Sequence, residues 1–258
     1  MDGSRAATQE SLAADLRRLG VATGDVAMVH SSMRAIGAIK GGVETLVGAL
    51  LDAVGPSGTL VAYVDWDLGE AAPYGPDSPV FDKRTSRAAR EYGIVPETIR
   101  TWPGAIRSDN PDAGIAAIGA RAAWLCAGHP LSYGYGEASP FAKLVTVDAK
   151  VLVLGAPLDT MTLLHHAEHL AKKDGKRIIR YERKIACERG VERVEVEEFD
   201  TSDPVVDGMP ADAFARIASI ALEAGAGKSG LVGKAASYLF DAAPLVLEGV
   251  RWLEVWTG

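Results

Sequence analysis

The sequence predicts an α/β protein with a central mixed β-sheet flanked by helices. Three observations carry this. Segments with helical spacing alternate with short apolar runs through the first quarter of the chain. KVLVLGA, residues 150–156, is an uninterrupted apolar run of the kind a buried strand shows. Residues 177–200, RIIRYERKI and then VERVEVEEF, alternate apolar with charged positions, the period of half-exposed antiparallel strands.

Taken in order, residues 8–19 form a first helix, with Leu12, Leu16 and Leu19 on one face, Thr8 as cap and Gly20 as stop. DVAMVH, 25–30, is a buried strand, and HSSMRAIG is the small-residue turn that follows. Residues 42–53 form a second helix that buries Val43, Leu46, Val47, Leu50 and Leu51. Gly55-Pro56-Ser57-Gly58 turns the chain into the strand 59–64. Residues 65–83 are a long loop, and a loop of that length in a compact domain suggests function. A helix is expected over 86–101, a loop over 104–114 and a short strand at IAAIG. The Tyr- and Gly-rich stretch 131–140 leads to a helix from Pro140 or Phe141. After strand 150–156, Asp159 or Thr160 caps a helix that runs to about Lys172. Ala211–Ala224 is expected to be a helix and Leu245–Val255 mostly strand. No internal repeat or linker interrupts the chain, so residues 1–258 read as one domain.

Composition narrows the function classes. Hydrophobic residues are 48% and charged residues 24%, as in ordinary globular proteins. The 34 acids outnumber the 27 Lys and Arg, for a net charge of −7. Nucleic acid as the main partner is disfavoured, because phosphate binding needs a basic face. No apolar run reaches a membrane-spanning length, and the N-terminus lacks the apolar core of a secretory signal. A cytoplasmic location is expected. Cys126 and Cys187 stand outside any C-x-x-C pair and read as reduced thiols.

Two motifs suggest other chemistries. GAGKSG, 225–230, fits G-x-G-x-x-G, but it follows a helix, whereas a dinucleotide loop follows a strand. It reads as a helix stop and glycine loop. A phosphate-binding loop ending at Gly227-Lys228-Ser229 would need glycine at 222, which is Leu222. His165, Glu168 and His169 fit H-x-x-E-H and could face a zinc ion from one helix side, which would make a hydrolase. Without metal, the same helix offers His165 as a general base that Glu168, one turn on, could orient.

Seven segments in order carry a resemblance to a known family. They are GDVAMVHSSMRAIG (24–37), GPSGTLVAYVDWD (55–67), GAIRSDNPDAG (104–114), GEASPFAKL (136–144), VLVLGAPLDTMTLLHHAEHLA (151–171), EFDT (198–201) and GLVGKAASYLFDA (230–242). Together the chain resembles the aminoglycoside 3-N-acetyltransferases along nearly its whole length. The resemblance implies an α/β fold distinct from the common acetyltransferase fold. It implies direct transfer of acetyl from acetyl-CoA to the 3-amino group of an aminoglycoside's 2-deoxystreptamine ring, in a ternary complex, with antibiotic resistance as the outcome. It places His165 as general base and Glu168 as the acid of the same catalytic motif. It places Ser31, Ser32, Met33, Arg34 and Ser108 at the coenzyme, and Asp67, Glu198 and Asp200 at the cationic sugar. It implies no metal, and a monomer or homodimer. Asp65 and Glu70 could join the acidic lining. Asn110 stands where some relatives carry histidine. A non-antibiotic amine is the alternative substrate within the same chemistry.

Overall fold

The structure is a computed structural model that describes residues 6–69, 77–201 and 204–256. Helix α1 (Gln9–Leu19) starts at a capping box, in which Thr8 and Ser11 exchange side-chain and backbone hydrogen bonds. It leads into strand β1 (Val26–Ser31), the one-turn helix α2 (Met33–Ile36) and helix α3 (Gly42–Val54). Strands β2 (Thr59–Tyr63) and β3 (Val80–Phe81) follow, then helix α4 (Ile94–Arg100), strands β4 (Ile106–Arg107) and β5 (Ile115–Gly119), and helices α5 (Ala122–Cys126) and α6 (Pro140–Thr146). Strand β6 (Lys150–Leu154), helix α7 (Leu164–Leu170) and the long strands β7 (Ile178–Cys187) and β8 (Gly190–Phe199) come next. Helix α8 (Ala213–Glu223), strands β9 (Gly227–Val232) and β10 (Ala235–Asp241) and helix α9 (Ala242–Val255) close the chain.

Among the described residues, seven strands form a mixed sheet in the order β4-β5-β2-β1-β6-β10-β9. β1 lies parallel to both β2 and β6, whereas β5 and β10 run antiparallel to their inner neighbours. The inner strands are mostly apolar because both faces are covered, with polar residues at their ends, such as His30 and Ser31 of β1. One face packs a core that includes Met28, Val151, Phe141, Leu164 and Leu245. The other packs Leu12, Leu16, Leu46, Leu50 and Leu152. A second sheet, β3-β7-β8, stands apart and is built mainly on the ten-residue β7–β8 hairpin, paired from Ile178↔Phe199 to Cys187↔Gly190.

Four expectations change. Leu245–Val255 is helix rather than strand: Leu245, Gly249 and Leu253 are all buried at four-residue spacing, and this helical period outweighs the β-branched content. GAGKSG is not a loop over its whole length, because Gly227 opens edge strand β9. The helix expected over 86–101 is interrupted at Gly93, whose φ of +86° belongs to the left-handed region, leaving a 3₁₀ turn at Arg90–Tyr92 and then α4. The helix expected from Asp159 or Thr160 begins only at Leu164, after a separate 3₁₀ turn at Leu158–Thr160, so His165 sits at its second residue.

Helix α7 lies across α9 at a point of close approach. A Cβ built on Gly249 would stand 2.8 Å from the Ala167 Cβ and 3.1 Å from the Leu164 Cδ2. Gly249→Ala should therefore force the two helices apart and cost about 1–3 kcal/mol of stability. A denaturation midpoint equal to that of the unchanged protein would contradict this.

Candidate active site

The 3₁₀ turn and α7 follow β6 at its carboxyl end, where α/β sheets commonly open their crevices. There His165 Nδ1 lies 2.7 Å from Glu168 Oε2. Glu168 is buried, with 4% of its side chain exposed, while 21% of the His165 side chain reaches solvent. A carboxylate can only accept, so Nδ1 carries the hydrogen and Nε2 keeps its lone pair. The imidazole is clamped by rings: Tyr135 and Phe214 each have centroids 5.0 Å from it. Its orientation is thus fixed before any ligand arrives.

His165 lines a cavity of about 530 Å³ whose walls carry Asp65, Glu91, Asp112, Asp159, Glu198 and Asp200. Arg183 offsets Asp112, with Nη2 2.6 Å from Oδ1, and Arg177 stands 3.4 Å from Asp200. Among the described residues, no Lys or Arg forms an ion pair with Asp65, Glu91, Asp159 or Glu198. Burial pushes the Asp65 carboxyl well above the usual carboxylate range, and the nearby Asp112 adds to this. Burial also pushes Glu198 up to about 7, although the backbone N–H groups of Phe199 and Gly134 donate to its carboxylate and pull the other way. These are cation-seeking walls. Part of them belongs to the main sheet and part to the β7–β8 hairpin.

A second cavity, of about 390 Å³, is lined by Val29, His30, Ser31, Ser32, Met33 and Arg34 on one side and by Gly93–Pro96 on the other. It shares Tyr63, Glu91, Tyr92 and Thr160 with the acidic cavity, so the two meet at a common wall. The Tyr63 and Tyr92 rings pack edge to face there, with centroids 4.9 Å apart. Tyr63 donates to the carbonyl of Asp112 at 2.8 Å, which leaves its oxygen to accept from the Tyr135 hydroxyl, also at 2.8 Å.

The sequence-derived residues fall into three groups. His165 and Glu168 are joined, Glu198 and Asp200 line the acidic cavity, and Ser31, Ser32, Met33 and Arg34 line the second cavity. Asp67 does not line the acidic cavity. It is 3.0 Å from Arg90 and caps the N–H of Gly69, and Asp65, two residues earlier on the extended chain, takes the inward position. Ser108 does not line the second cavity. It is fully buried, its Oγ accepts the Ile115 N–H, and it lies 2.9 Å from His129 Nδ1. His129 Nε2 reaches the Gly134 carbonyl at 2.7 Å, and the Gly134 N–H meets Glu198, so Ser108 supports the acidic wall from behind. Glu70 lies outside the described residues. Asn110 Oδ1 caps the N–H groups of Asp112 and Ala113, a purely hydrogen-bonding role.

The zinc arrangement does not form among the described residues. His165 is engaged with Glu168, His169 packs between Tyr133 and Phe199, and no group of three His, Cys, Asp or Glu side chains is placed to hold a metal. His166 is buried, with Nδ1 2.6 Å from the Tyr135 carbonyl. Sequence reasoning missed the wall residues Tyr92 and Glu91, because the stretch looked like continuous helix. Gly93 was the available signal. Cys126 and Cys187 are both free thiols.

The His165 imidazole, supported by the buried Glu168 carboxyl, lines an acidic cavity that shares a wall with a second, more apolar one. The sequence model of the aminoglycoside 3-N-acetyltransferase family matches residues 28–254. The chain is 43% identical to aminoglycoside N(3)-acetyltransferase III of Pseudomonas aeruginosa, covering 96% of this chain and 93% of that one. It is 43% identical to aminoglycoside N(3)-acetyltransferase VIII of Streptomyces fradiae, with 96% and 92% covered. Among solved structures, AAC-IIIb in a binary complex with CoASH superposes with a TM-score of 0.93 at 50% identity, with 97% of each chain covered. AAC-VIa bound to sisomicin superposes with a TM-score of 0.90 at 38% identity, covering 97% of this chain and 98% of that one. The chain belongs to the aminoglycoside 3-N-acetyltransferase family, a family of acyltransferases.

Because Glu198 binds its proton more tightly folded than unfolded, the folded state holds the extra proton between about pH 4.5 and pH 7. Stability should fall as pH rises through that window, by an amount on the order of 3 kcal/mol. Glu198→Gln should flatten this slope in denaturant titrations run across the window. An unchanged slope in that variant would remove the assignment.

Proposed function

We propose that the chain transfers the acetyl group of acetyl-CoA directly to the 3-amino group of the 2-deoxystreptamine ring of aminoglycosides, within a ternary complex, and so confers resistance to them. The observation that carries this reading is the placement of His165. Its ring lines the acidic cavity beside Thr160, a residue of the wall shared with the cavity that holds Ser31–Arg34. The activities of the relatives, and the CoASH and sisomicin bound to structural neighbours, support the same two ligands here.

The second cavity fits a pantetheine arm: its lining mixes apolar Val29, Val95 and Pro96 with the hydroxyls of Ser31 and Ser32. Bound there, acetyl-CoA supplies an acyl carbon activated by a thiolate leaving group. The acidic cavity fits a polyammonium sugar, with Asp65, Glu198 and Asp200 as its partners. An alkyl ammonium near a pKa of about 10 must shed one proton before it can attack. His165 Nε2 takes the proton that the amine nitrogen loses as its new bond to the acyl carbon forms and the carbon–sulfur bond breaks. That proton then goes to the departing sulfur, which leaves as a thiol. Glu168 holds the ring in the tautomer this needs and stabilises the imidazolium. The whole of residues 1–258 acts as one catalytic domain.

Purified protein, acetyl-CoA and a panel of aminoglycosides should release free thiol, with the product acetylated at N-3 by NMR. His165→Ala should lower kcat by about 100- to 10,000-fold, and Glu168→Gln by roughly 10- to 100-fold. Absence of thiol release across the panel, or full activity without the imidazole, would sink the proposal.

A further inference from the structure

We propose that Lys176 is a positioning residue for the transfer: its ammonium ties the end of helix α7, which carries His165 and Glu168, to the end of β8, which carries Glu198, and so sets how the base meets the acceptor amine. The inference rests on the reaction proposed above. Lys176 Nζ donates to the carbonyl of Glu168 at 3.0 Å, of His169 at 3.2 Å and of Ala171 at 2.7 Å. The same ammonium lies 4.6 Å from the centroid of the Phe199 ring. Phe199 follows Glu198, donates its N–H to the Glu198 carboxylate at 2.9 Å and lines the acidic cavity. One cation therefore touches the backbone of the residue that holds His165 and the ring beside an acid of the acceptor wall.

Helix α7 needs such a fastening. It has seven residues, too few to hold a helix on their own, and no side chain caps its first N–H groups. At its other end the ladder breaks early. The N–H groups of Lys172 and Lys173 would continue it to the carbonyls of Glu168 and His169, but they go to the Glu254 carboxylate and the Ala171 carbonyl instead. Lys176 supplies the missing donors, and all three hydrogens of its ammonium are spent on this helix end. A lysine can normally turn its charged tip to water. This one is half-buried, and burial lowers the ammonium below the ordinary lysine range while the Glu168 carboxylate pulls the other way.

The next residue completes the link. The Arg177 carbonyl accepts the Asp200 N–H at 3.0 Å, and the Arg177 guanidinium lies 3.4 Å from the Asp200 carboxylate. Two consecutive residues thus join α7 to both hairpin acids of the acceptor wall. Proton transfer needs the amine within hydrogen-bond reach of the imidazole, and a misplacement of about 1 Å can cost roughly 100-fold in rate. The second cavity contains no residue of α7 or of the hairpin, so coenzyme contacts do not depend on this tie.

Lys173 provides the control for the test. Its ammonium makes the same kinds of contact, to the carbonyl of Trp256 and 5.2 Å from the centroid of that ring, but these lead only to the residue that ends α9. Steady-state kinetics with acetyl-CoA and an aminoglycoside are compared across the variants. Lys176→Met should lower kcat by roughly 10- to 100-fold and raise the KM for the aminoglycoside, with the KM for acetyl-CoA unaltered. Lys176→Arg, which keeps the charge and the donors, should recover most of the loss. Lys173→Met should keep the parental kcat and both KM values, whatever it does to the melting temperature. If Lys176→Met fails to fold, Lys176→Gln, which keeps a donor without the charge, is read in the same way. Parental kcat and aminoglycoside KM without the Lys176 ammonium, an equal rise in both KM values, or a matching loss in Lys173→Met overturns the inference. A parent that releases no thiol with any aminoglycoside overturns the reaction and the inference with it, whereas an active parent beside an undiminished Lys176 variant overturns the inference alone.

Discussion

A carboxylate held out of water one helical turn from an imidazole decides which nitrogen of that ring carries the proton. The Glu168–His165 contact does this, and much of the surrounding structure serves it. Helix α7 is buried on Leu164, His166, Ala167 and Glu168, so the turn that joins the two side chains is rigid. Gly249 lets α9 approach that turn, and Tyr135 and Phe214 close on the ring from its sides. Tyr135 is tied in turn to Tyr63 and through it to Asp112, so the ring that packs on His165 is hydrogen-bonded into the acidic wall.

The acidic wall draws on two sheets. Asp65 and Asp112 come from loops beside the carboxyl end of β2 and the start of β5, whereas Glu198 lies within β8 of the hairpin and Asp200 just past its end. The hairpin is anchored to the main body by Arg183 and Tyr181, both of which reach Asp112, and by the Gly134 N–H at Glu198. Ser108 and His129 hold Gly134 from the far side. Buried carboxyls without cationic partners are unfavourable in the free protein. Asp65 and Glu198 are such groups, which is why burial raises both.

Much of the fold was legible because its signals were local. The alternation of β7 and β8 is a period-two pattern, and the short apolar runs of β1, β2 and β6 read as strands through their length, their β-branched content and the turn residues beside them. The helix at the C-terminus was misread because VLEGVRWLEV combines β-branched and aromatic residues with a four-residue buried repeat, and only packing against α7 shows which signal rules. The contact between His165 and Glu168 was legible through their helix spacing, and the family through the seven segments in order. What escaped was side-chain direction. Asp65 and Asp67 flank Trp66 in an extended segment bridged to Ala88, yet Asp65 lines the cavity while Asp67 pairs with Arg90. Ser108 lies in a motif but points inward, and no one-dimensional pattern distinguishes a buried hydroxyl from one at a cavity.

The placement of the two cavities has an evolutionary corollary. Carboxyls of the hairpin line the acidic cavity only, whereas the second cavity is walled by the end of β1 and by Gly93–Pro96. Under the proposed function, changes along β7 and β8 would reshape one cavity while leaving the lining of the other as it is. Divergence among family members should therefore be freest in the hairpin, within the limits set by the Arg183, Tyr181 and Glu198 contacts that tie it to the main body.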